Sequence, residues 1–374
     1  MKILITGGHL TPALSFIDYV SAYHPQDKIV FVGREFSQDA AAQKAVEQYE
    51  VEKRKVPFIP FQAVKLGVGF FDRLWQQINR FTQSIREAKQ ILKKQRPQLV
   101  LSFGGYVAVP FALAARSLRV PVVTHEQTLV SGFANKLIGL MAKSIAVSFP
   151  ESVPKFLARK TVVTGNPLRE GVFQARHPQP SWLTKKIEKP IILVLGGNQG
   201  SQTLNTLIGQ SLSDLLTDWT IVHQCGRPTQ ERDAKTVLER QRNRLPLTLQ
   251  RRYYIHEWID DHDLFWLYRH AFCALSRAGA NATQELAVSG LPSILVPLPT
   301  ARLDEQRANA RWLVKTGGAM LLEQSALSTA TLLEALNKMK TFESTMRQSL
   351  ASIQLPENAA ERLYKLVSDA LTQS

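Results

Sequence analysis

Short apolar runs alternate with helical, amphipathic stretches along almost the whole chain, and glycine turns mark many of the joints. Residues 2–6, KILIT, read as a buried first strand, followed by Gly7-Gly8 and by helical spacing over 13–22. The succession recurs with strands at 29–33, 56–59, 98–103, 121–124, 144–149 and 161–164. Between them the pattern predicts a polar helix over 37–49, a long helix ending at Arg96, one through Ser117 and one from Gly132. Pro97 stops the long helix because proline disfavours helical geometry in the residue ahead of it. A stretch with proline and charge but weak periodicity, 170–189, follows.

The pattern then restarts, with strands at 191–195, 220–224, 253–258, 271–275 and 293–296. Helices are expected to about Leu216 and over 230–242, 260–268, 302–316, 329–340 and 357–371. Alternation of strand and helix in both halves predicts an α/β protein of two Rossmann-like domains with a cleft between them. The expected division is 1–168, a linker over 169–189, a second domain over 190–352 and a closing helix in 353–374.

Chemistry concentrates at the glycine turns. The stretch 276–292, SRAGANATQELAVSGLP, places backbone N–H groups at a helix N-terminus, a natural seat for an anion such as a diphosphate. Glu285, one turn inside, could accept hydrogen bonds from a ribose diol. A connecting helix whose glycine only permits tight packing fits the same residues. Glycine turns also follow strands at Gly7-Gly8, Gly104-Gly105 and Gly196-Gly197, and strand carboxyl edges are where open α/β sheets bind ligands. Neither GxGxxG nor GK[ST] is present. The sequence 260–263, DDHD, imitates a metal-binding DxD, but its place between strand and helix favours N-capping. His125, at a strand end, reads as a structural hydrogen-bonder.

Composition narrows the partners. Two cysteines among 374 residues, both in strand-like contexts, argue against a disulfide framework. The opening MKILIT is too short and too β-like for a signal peptide, and no apolar run approaches the roughly 20 residues of a membrane span. The net charge of +15 is lopsided: residues 1–180 carry 24 basic against 12 acidic groups. Such an excess suits nucleic acid, acidic headgroups or a phosphorylated substrate. Between Val56 and Trp75, aromatic and basic residues interleave. Phe61, Leu66, Phe70, Phe71, Leu74 and Trp75 could lie in the headgroup region of an anionic membrane, or fill the core. Nucleic acid is not expected, since no RNP, zinc or recognition-helix motif occurs.

Taken together the motifs resemble the MurG glycosyltransferases, peripheral inner-membrane enzymes of bacterial peptidoglycan synthesis. They are GGH–P at 7–12, FGGYV at 103–107, HEQ at 125–127, Asn135-Lys136, GNPLR at 165–169 and GG-QG at 196–200 with Asn205. IDD at 259–261, the 276–292 unit, Gln306 with Asn309, and NAAERL at 358–363 complete the set. The resemblance implies a GT-B fold whose C-terminal helix packs back on the N-terminal domain. It implies inverting transfer of GlcNAc from UDP-GlcNAc to the MurNAc C4 hydroxyl of undecaprenyl-pyrophosphoryl-MurNAc-pentapeptide. That reaction belongs at the cytoplasmic face of the cell membrane, and no metal or other cofactor is implied.

By match, Arg169, Ile259 (through its backbone) and Glu285 would hold uridine. Asn198, Gln199, Arg277, Gly279, Ala280 and Asn281 would hold the diphosphate and Gln306, with Glu305 beside it, the donor sugar, while Asn309 would also belong to the UDP-GlcNAc site. Gly8, His9, Tyr106, Glu126, Thr128 and Asn135 would face the acceptor, with His9 the first choice of base and Glu126 the second. The chain departs from the family pattern in a shortened first glycine loop and at Thr128, Asn198 and Glu305. A related transferase with another acceptor, or a basic binding protein without catalysis, remain the competing readings.

Overall fold

A computed structural model describes the chain apart from residues 35, 38–39, 45, 63–73, 184–186, 198, 229–232 and 373–374. It divides into two compact units, Met1–Arg169 with Pro356–Ser374, and Glu170–Leu355.

In the first unit seven strands form a wholly parallel sheet. Their spatial order is Phe58–Pro60, Lys28–Gly33, Lys2–Thr6, Leu99–Ser102, Val122–Glu126, Ser144–Val147, Thr161–Val163. The strands are nearly continuous runs of β-branched and aliphatic residues because both faces are covered. Ile3, Ile5, Leu99, Leu101 and Val123 join Phe16 and Ile17 in one apolar cluster, while Leu4, Val100 and Val122 join Leu92, Phe111 and Ile138 in the other. That is the two-residue period of a strand.

The closing helix Ala359–Thr372 lies on the first of these clusters through Leu363, Val367 and Ala370. It is pinned there by Tyr364, whose hydroxyl donates to Asp27 at 2.8 Å, and by Lys143, whose Nζ donates to the Ala370 carbonyl at 2.8 Å. The C-terminal helix therefore packs on the N-terminal domain, as its resemblance implies.

The second unit repeats the plan with six parallel strands. They run Tyr253–His256, Thr220–Gln224, Ile191–Leu195, Cys273–Ser276, Ser293–Leu295, Ala319–Leu321. In both sheets the first strand lies centrally, between the second and the fourth of the main succession. The direction of winding reverses beside it, and that switch point is the usual ligand crevice of an open α/β sheet.

Three expectations differ from the structure. Residues 37–49 are not one helix: strands Phe36–Ser37 and Ala40–Lys44 pair antiparallel, and the helix is Val46–Lys53. The 329–340 helix extends over Thr329–Ala351, started by a Ser328–Thr331 capping box and continued by Met339, Met346 and Leu350. The stretch read as a linker is built into the second unit. There Glu170–Phe173 forms a 3-10 helix with Val172 buried, Leu183 is fully buried, and Trp182 donates to Asp263 at 2.7 Å.

Candidate functional site

At the switch point of the first sheet two glycine loops touch. A Cβ on Gly8 would lie 2.2 Å from the Gly104 carbonyl oxygen, and Gly104 and Gly105 both hold positive φ, at 78° and 76°. Only glycines fit this contact. It leaves His9 at the N-cap of the helix Leu10–Tyr23, with a side chain that makes no capping bond. Arg34, which follows the second strand, stacks its guanidinium 5.8 Å from the Tyr106 ring centre. Burial, aided by the Arg34 charge, lowers the His9 pKa to about 4, so the ring is neutral near pH 7. His9 and Tyr106 follow the two touching glycine loops, and both are partly exposed. Arg34 was missed because it belongs to no motif; its position one residue beyond a strand was the available signal.

Glu126 does not suit a catalytic base. It is 1% exposed, and its two oxygens accept from Thr128 N (3.1 Å), Gly132 N (3.2 Å) and Asn135 Nδ2 (2.9 Å), with the Thr128 hydroxyl 2.8 Å away. Burial raises its pKa, and those same bonds oppose the rise. Asn135 is equally committed, accepting from Thr124 Oγ1 at 3.1 Å. Glu126, Thr128 and Asn135 thus form a closed buried bracket that fixes the loop after the fifth strand and the start of the helix Phe133–Met141. His125 is fully buried against the Gly165 carbonyl at 3.0 Å, with its pKa lowered by burial to about 4. It is structural, as expected.

In the second unit, Gly279 caps the helix Ala280–Val288 without a side-chain bond, and no acidic residue occupies the first turn. A Cβ at Gly279 would meet nothing within 4 Å, so this glycine is not there for packing. Asn281 Nδ2 is buried without a protein partner among the described residues. Behind the terminus lies Arg277, 9% exposed. Its Nε donates to Ser201 Oγ (3.0 Å), Nη1 to the Val296 (3.2 Å) and Pro297 (3.4 Å) carbonyls, and Nη2 to Gln324 Oε1 (2.8 Å). Every acceptor is neutral. A buried guanidinium beside open helix donors makes the crevice strongly favourable to an anion. Glu285, 2% exposed, accepts from the Tyr268 hydroxyl at 3.1 Å.

Other predicted donor residues are already engaged. The Ile259 N–H donates to Gln224 Oε1 at 3.0 Å, Gln306 Oε1 accepts from Leu298 N at 3.0 Å, and Asn309 Nδ2 donates to the Ala278 carbonyl at 3.1 Å. Asn309 is therefore a brace for the 277–279 turn. Gln199 is exposed, Glu305 is partly buried, and Asn198 lies outside the described residues. Arg169 is the last residue of the first unit. Beneath the 196–200 turn runs a buried chain that motifs only hinted at through Asn205. Tyr253 OH lies 2.8 Å from His223 Nδ1, His223 Nε2 is 3.0 Å from Asn205 Oδ1, and Asn205 Nδ2 donates to the Cys225 carbonyl at 2.9 Å. That carbonyl lies where a Cβ on Gly200 would come within 2.1 Å, so the chain sets the depth of the turn.

The membrane assignment changes in part. Phe61 is 1% exposed and meets Phe111 edge-on at 4.9 Å; it is a core residue, because it follows an edge strand directly beneath a helix layer. Leu66, Phe70 and Phe71 lie outside the described residues, as do the side chains of Leu74 and Trp75. Phe133 (63% exposed) and Leu140 (62%) share one outer face of the helix Phe133–Met141. A groove of about 450 Å³ at the amino edge of this sheet is lined by Arg116, Arg119, Lys143 and Lys160. Lys143 and Lys160 donate there to carbonyls at or just beyond helix C-termini, Ala370 and Ala142, both at 2.8 Å, so part of the basic excess is structural. Asp260 occupies the N-cap position of Asp261–His270 but makes no side-chain capping bond, and no metal-holding group of three His, Cys, Asp or Glu exists among the described residues. No helix among them is long and apolar enough to cross a membrane.

The comparisons with known proteins agree with this geometry. Residues 6–147 match the glycosyltransferase family 28 N-terminal domain and 191–366 its C-terminal domain. A UDP-N-acetylglucosamine--N-acetylmuramyl-(pentapeptide) pyrophosphoryl-undecaprenol N-acetylglucosamine transferase of Clostridium tetani is 32% identical over 90% of this chain and 89% of its own. The enzyme of the same name from Thermodesulfovibrio yellowstonii is 30% identical over 99% of both chains. The crystal structure of Acinetobacter baumannii MurG superposes with a TM-score of 0.70 at 24% identity, covering 98% of this chain and 99% of that one, which shows a shared GT-B fold. Similarity of that extent, running through both domain matches, makes the chain a member of the MurG glycosyltransferase family.

Proposed function

We propose that this chain transfers N-acetylglucosamine from UDP-N-acetylglucosamine to the C4 hydroxyl of the N-acetylmuramyl residue of a polyprenyl-pyrophosphoryl acceptor, with inversion. The observation that carries the reading is the buried Arg277, without a carboxylate partner among the described residues, beside the uncapped helix Ala280–Val288 that also bears Glu285. In the transfer, the acceptor oxygen bonds to the sugar C1 as the bond from C1 to the UDP oxygen breaks. Negative charge develops on the departing diphosphate, and helix N–H donors with a fixed guanidinium stabilise it.

The proton lost by the acceptor goes to a His9 ring nitrogen. A ring with a pKa of about 4 is unprotonated and able to accept, and the negative charge of a bound acceptor diphosphate would raise its basicity. Glu126 acts indirectly in this reading, by holding the loop and helix that face the acceptor. Thr128, where the family has Asn, is absorbed into the same bracket. The outer face bearing Phe133 and Leu140 would rest on an anionic membrane, since the lipid-linked acceptor resides there.

Purified protein given radiolabelled UDP-N-acetylglucosamine and a short-chain lipid I analogue should form the disaccharide product. Transfer to a different acceptor only, from an active preparation, would replace this reading. Glu285→Ala should weaken UDP binding about tenfold or more, since it leaves buried partners unsatisfied, while His9→Ala spares binding and abolishes turnover. Equal loss of UDP affinity in both variants would refute the division of roles.

A further inference from the structure

The Arg277 guanidinium is received by the carboxyl ends of neighbouring strands. Val296 and Pro297, after Ser293–Leu295, offer carbonyls, and Gln324, after Ala319–Leu321, offers its amide oxygen at 2.8 Å. Ser201, beyond Ile191–Leu195, accepts from Nε through its Oγ and also caps the helix Gln202–Asp218 by accepting from Leu204 N. Of these four acceptors only Ser201 and Gln324 act through side chains. A carboxylate in place of Gln324 would keep the contact and cancel the charge.

The adjacent residue is a carboxylate, and it is held elsewhere. Both oxygens of Glu323 are taken by Arg307, at 2.8 Å each, and Arg307 also bonds Asp304 at 3.0 and 2.9 Å. This second guanidinium lies in the helix Glu305–Lys315, just after Leu303 and Asp304, whose φ values of 54° and 56° are uncommon for residues with side chains. Charges are therefore sorted at this corner: two carboxylates are gathered on Arg307, and Arg277 is left with neutral partners.

We propose that Gln324 is a positioning residue that holds the Arg277 guanidinium through a neutral acceptor, so that its full positive charge serves a nucleoside diphosphate at the Ala280–Val288 helix terminus. The inference rests on the reading of this unit as the UDP-sugar site. It assigns to Gln324 a function that depends on its being an amide rather than an acid. It further gives the Arg307–Glu323 pair the task of keeping the neighbouring carboxylate away.

The test compares the full-length wild type with Gln324→Glu and Gln324→Met, measuring UDP and uridine binding by calorimetry or NMR and thermal stability alongside. Gln324→Glu preserves shape and adds one negative charge beside Arg277. It should bind UDP about tenfold or more weakly and uridine within about twofold of wild type, with an unchanged or raised Tm. In turnover it should lower kcat as well as raise KM for the donor, because the same guanidinium stabilises the departing diphosphate. Gln324→Met, which loses the bond but leaves the charge uncompensated, should lose less UDP affinity than Gln324→Glu. Equal UDP affinity in Gln324→Glu and wild type would overturn the inference and leave the UDP site standing. So would a parallel loss of uridine, or a larger loss in Gln324→Met, because each would mark a merely structural bond. A wild type that binds neither compound overturns the UDP-site reading itself, and this inference falls with it.

Discussion

His9 shows how much of a residue's chemistry is set by neighbours it does not meet in sequence. A free imidazole has a pKa near 6.5. Here burial disfavours the charged ring, and the Arg34 guanidinium adds to the effect, bringing it to about 4. Removing the cation should therefore raise the value. Following the His9 ring resonances by NMR, Arg34→Ala should titrate at a higher pH than the wild type. An unchanged midpoint would show that Arg34 exerts no field at the ring. Glu126 illustrates the opposite outcome, since a carboxylate that reads as a candidate base is consumed by its own loop. Motif membership marked both residues as important, but only partners distinguish a group that is available from one that is spent.

At the scale of elements, most helices and strands were legible because their periodicities differ and their ends carry proline, glycine or capping residues. The misread 37–49 segment places Ala42, Ala45, Val46 and Tyr49 at helical spacing, so the pattern favoured a helix where Ala40–Lys44 is a strand. The helix Phe133–Met141 carries a feature that pattern alone did not isolate. Ile138 and Gly139 are buried on one side, while Phe133 and Leu140, seven residues apart and hence on one face, stay exposed beside the exposed Lys136. Apolar groups beside a cation suit an anionic lipid surface. Phe133→Ser with Leu140→Ser should weaken binding to anionic vesicles in flotation by at least about tenfold, since two large side chains worth roughly 1.5–3 kcal/mol each when fully buried exceed the roughly 1.4 kcal/mol of a tenfold change even if half-buried. Undiminished flotation would move the membrane contact elsewhere.

For the whole molecule, buried neutral histidines couple folding to pH. His125 and His223 are fully buried, with pKa values lowered chiefly by burial from 6.5 to about 4 and about 3. The unfolded chain takes up protons below pH 6.5 that the folded chain refuses. Stability is therefore complete above pH 6.5 and declines as pH falls towards 4 for His125 and towards 3 for His223, by on the order of 3 to 5 kcal/mol per histidine when fully developed. Denaturant midpoints measured from pH 7 to pH 5 should fall steadily. His223→Gln should reduce the slope, and a slope unaffected by that change would refute the assignment. The closing helix belongs to this scale too, since Ala359–Thr372 returns to the first unit although the residues before Pro356 belong to the second.

The amino-acid sequence by itself determined the α/β class, the two Rossmann-like halves, the glycine turns at strand ends and, through their joint order, the family. These are local or ordered properties: periodicity, turn chemistry and motif succession are all written along the chain. Tertiary structure alone decided which of the marked residues are available. It turned Glu126, Asn135 and Asn309 into braces, returned Phe61 to the core, and brought Arg34 to His9 and Gln324 to Arg277. The Glu126 and Asn135 bracket closes within one loop and helix start, whereas the other outcomes depend on partners and charges from elements far apart in sequence. Gln324 and Arg277 are 47 residues apart and meet only because parallel strands bring their carboxyl ends to one edge.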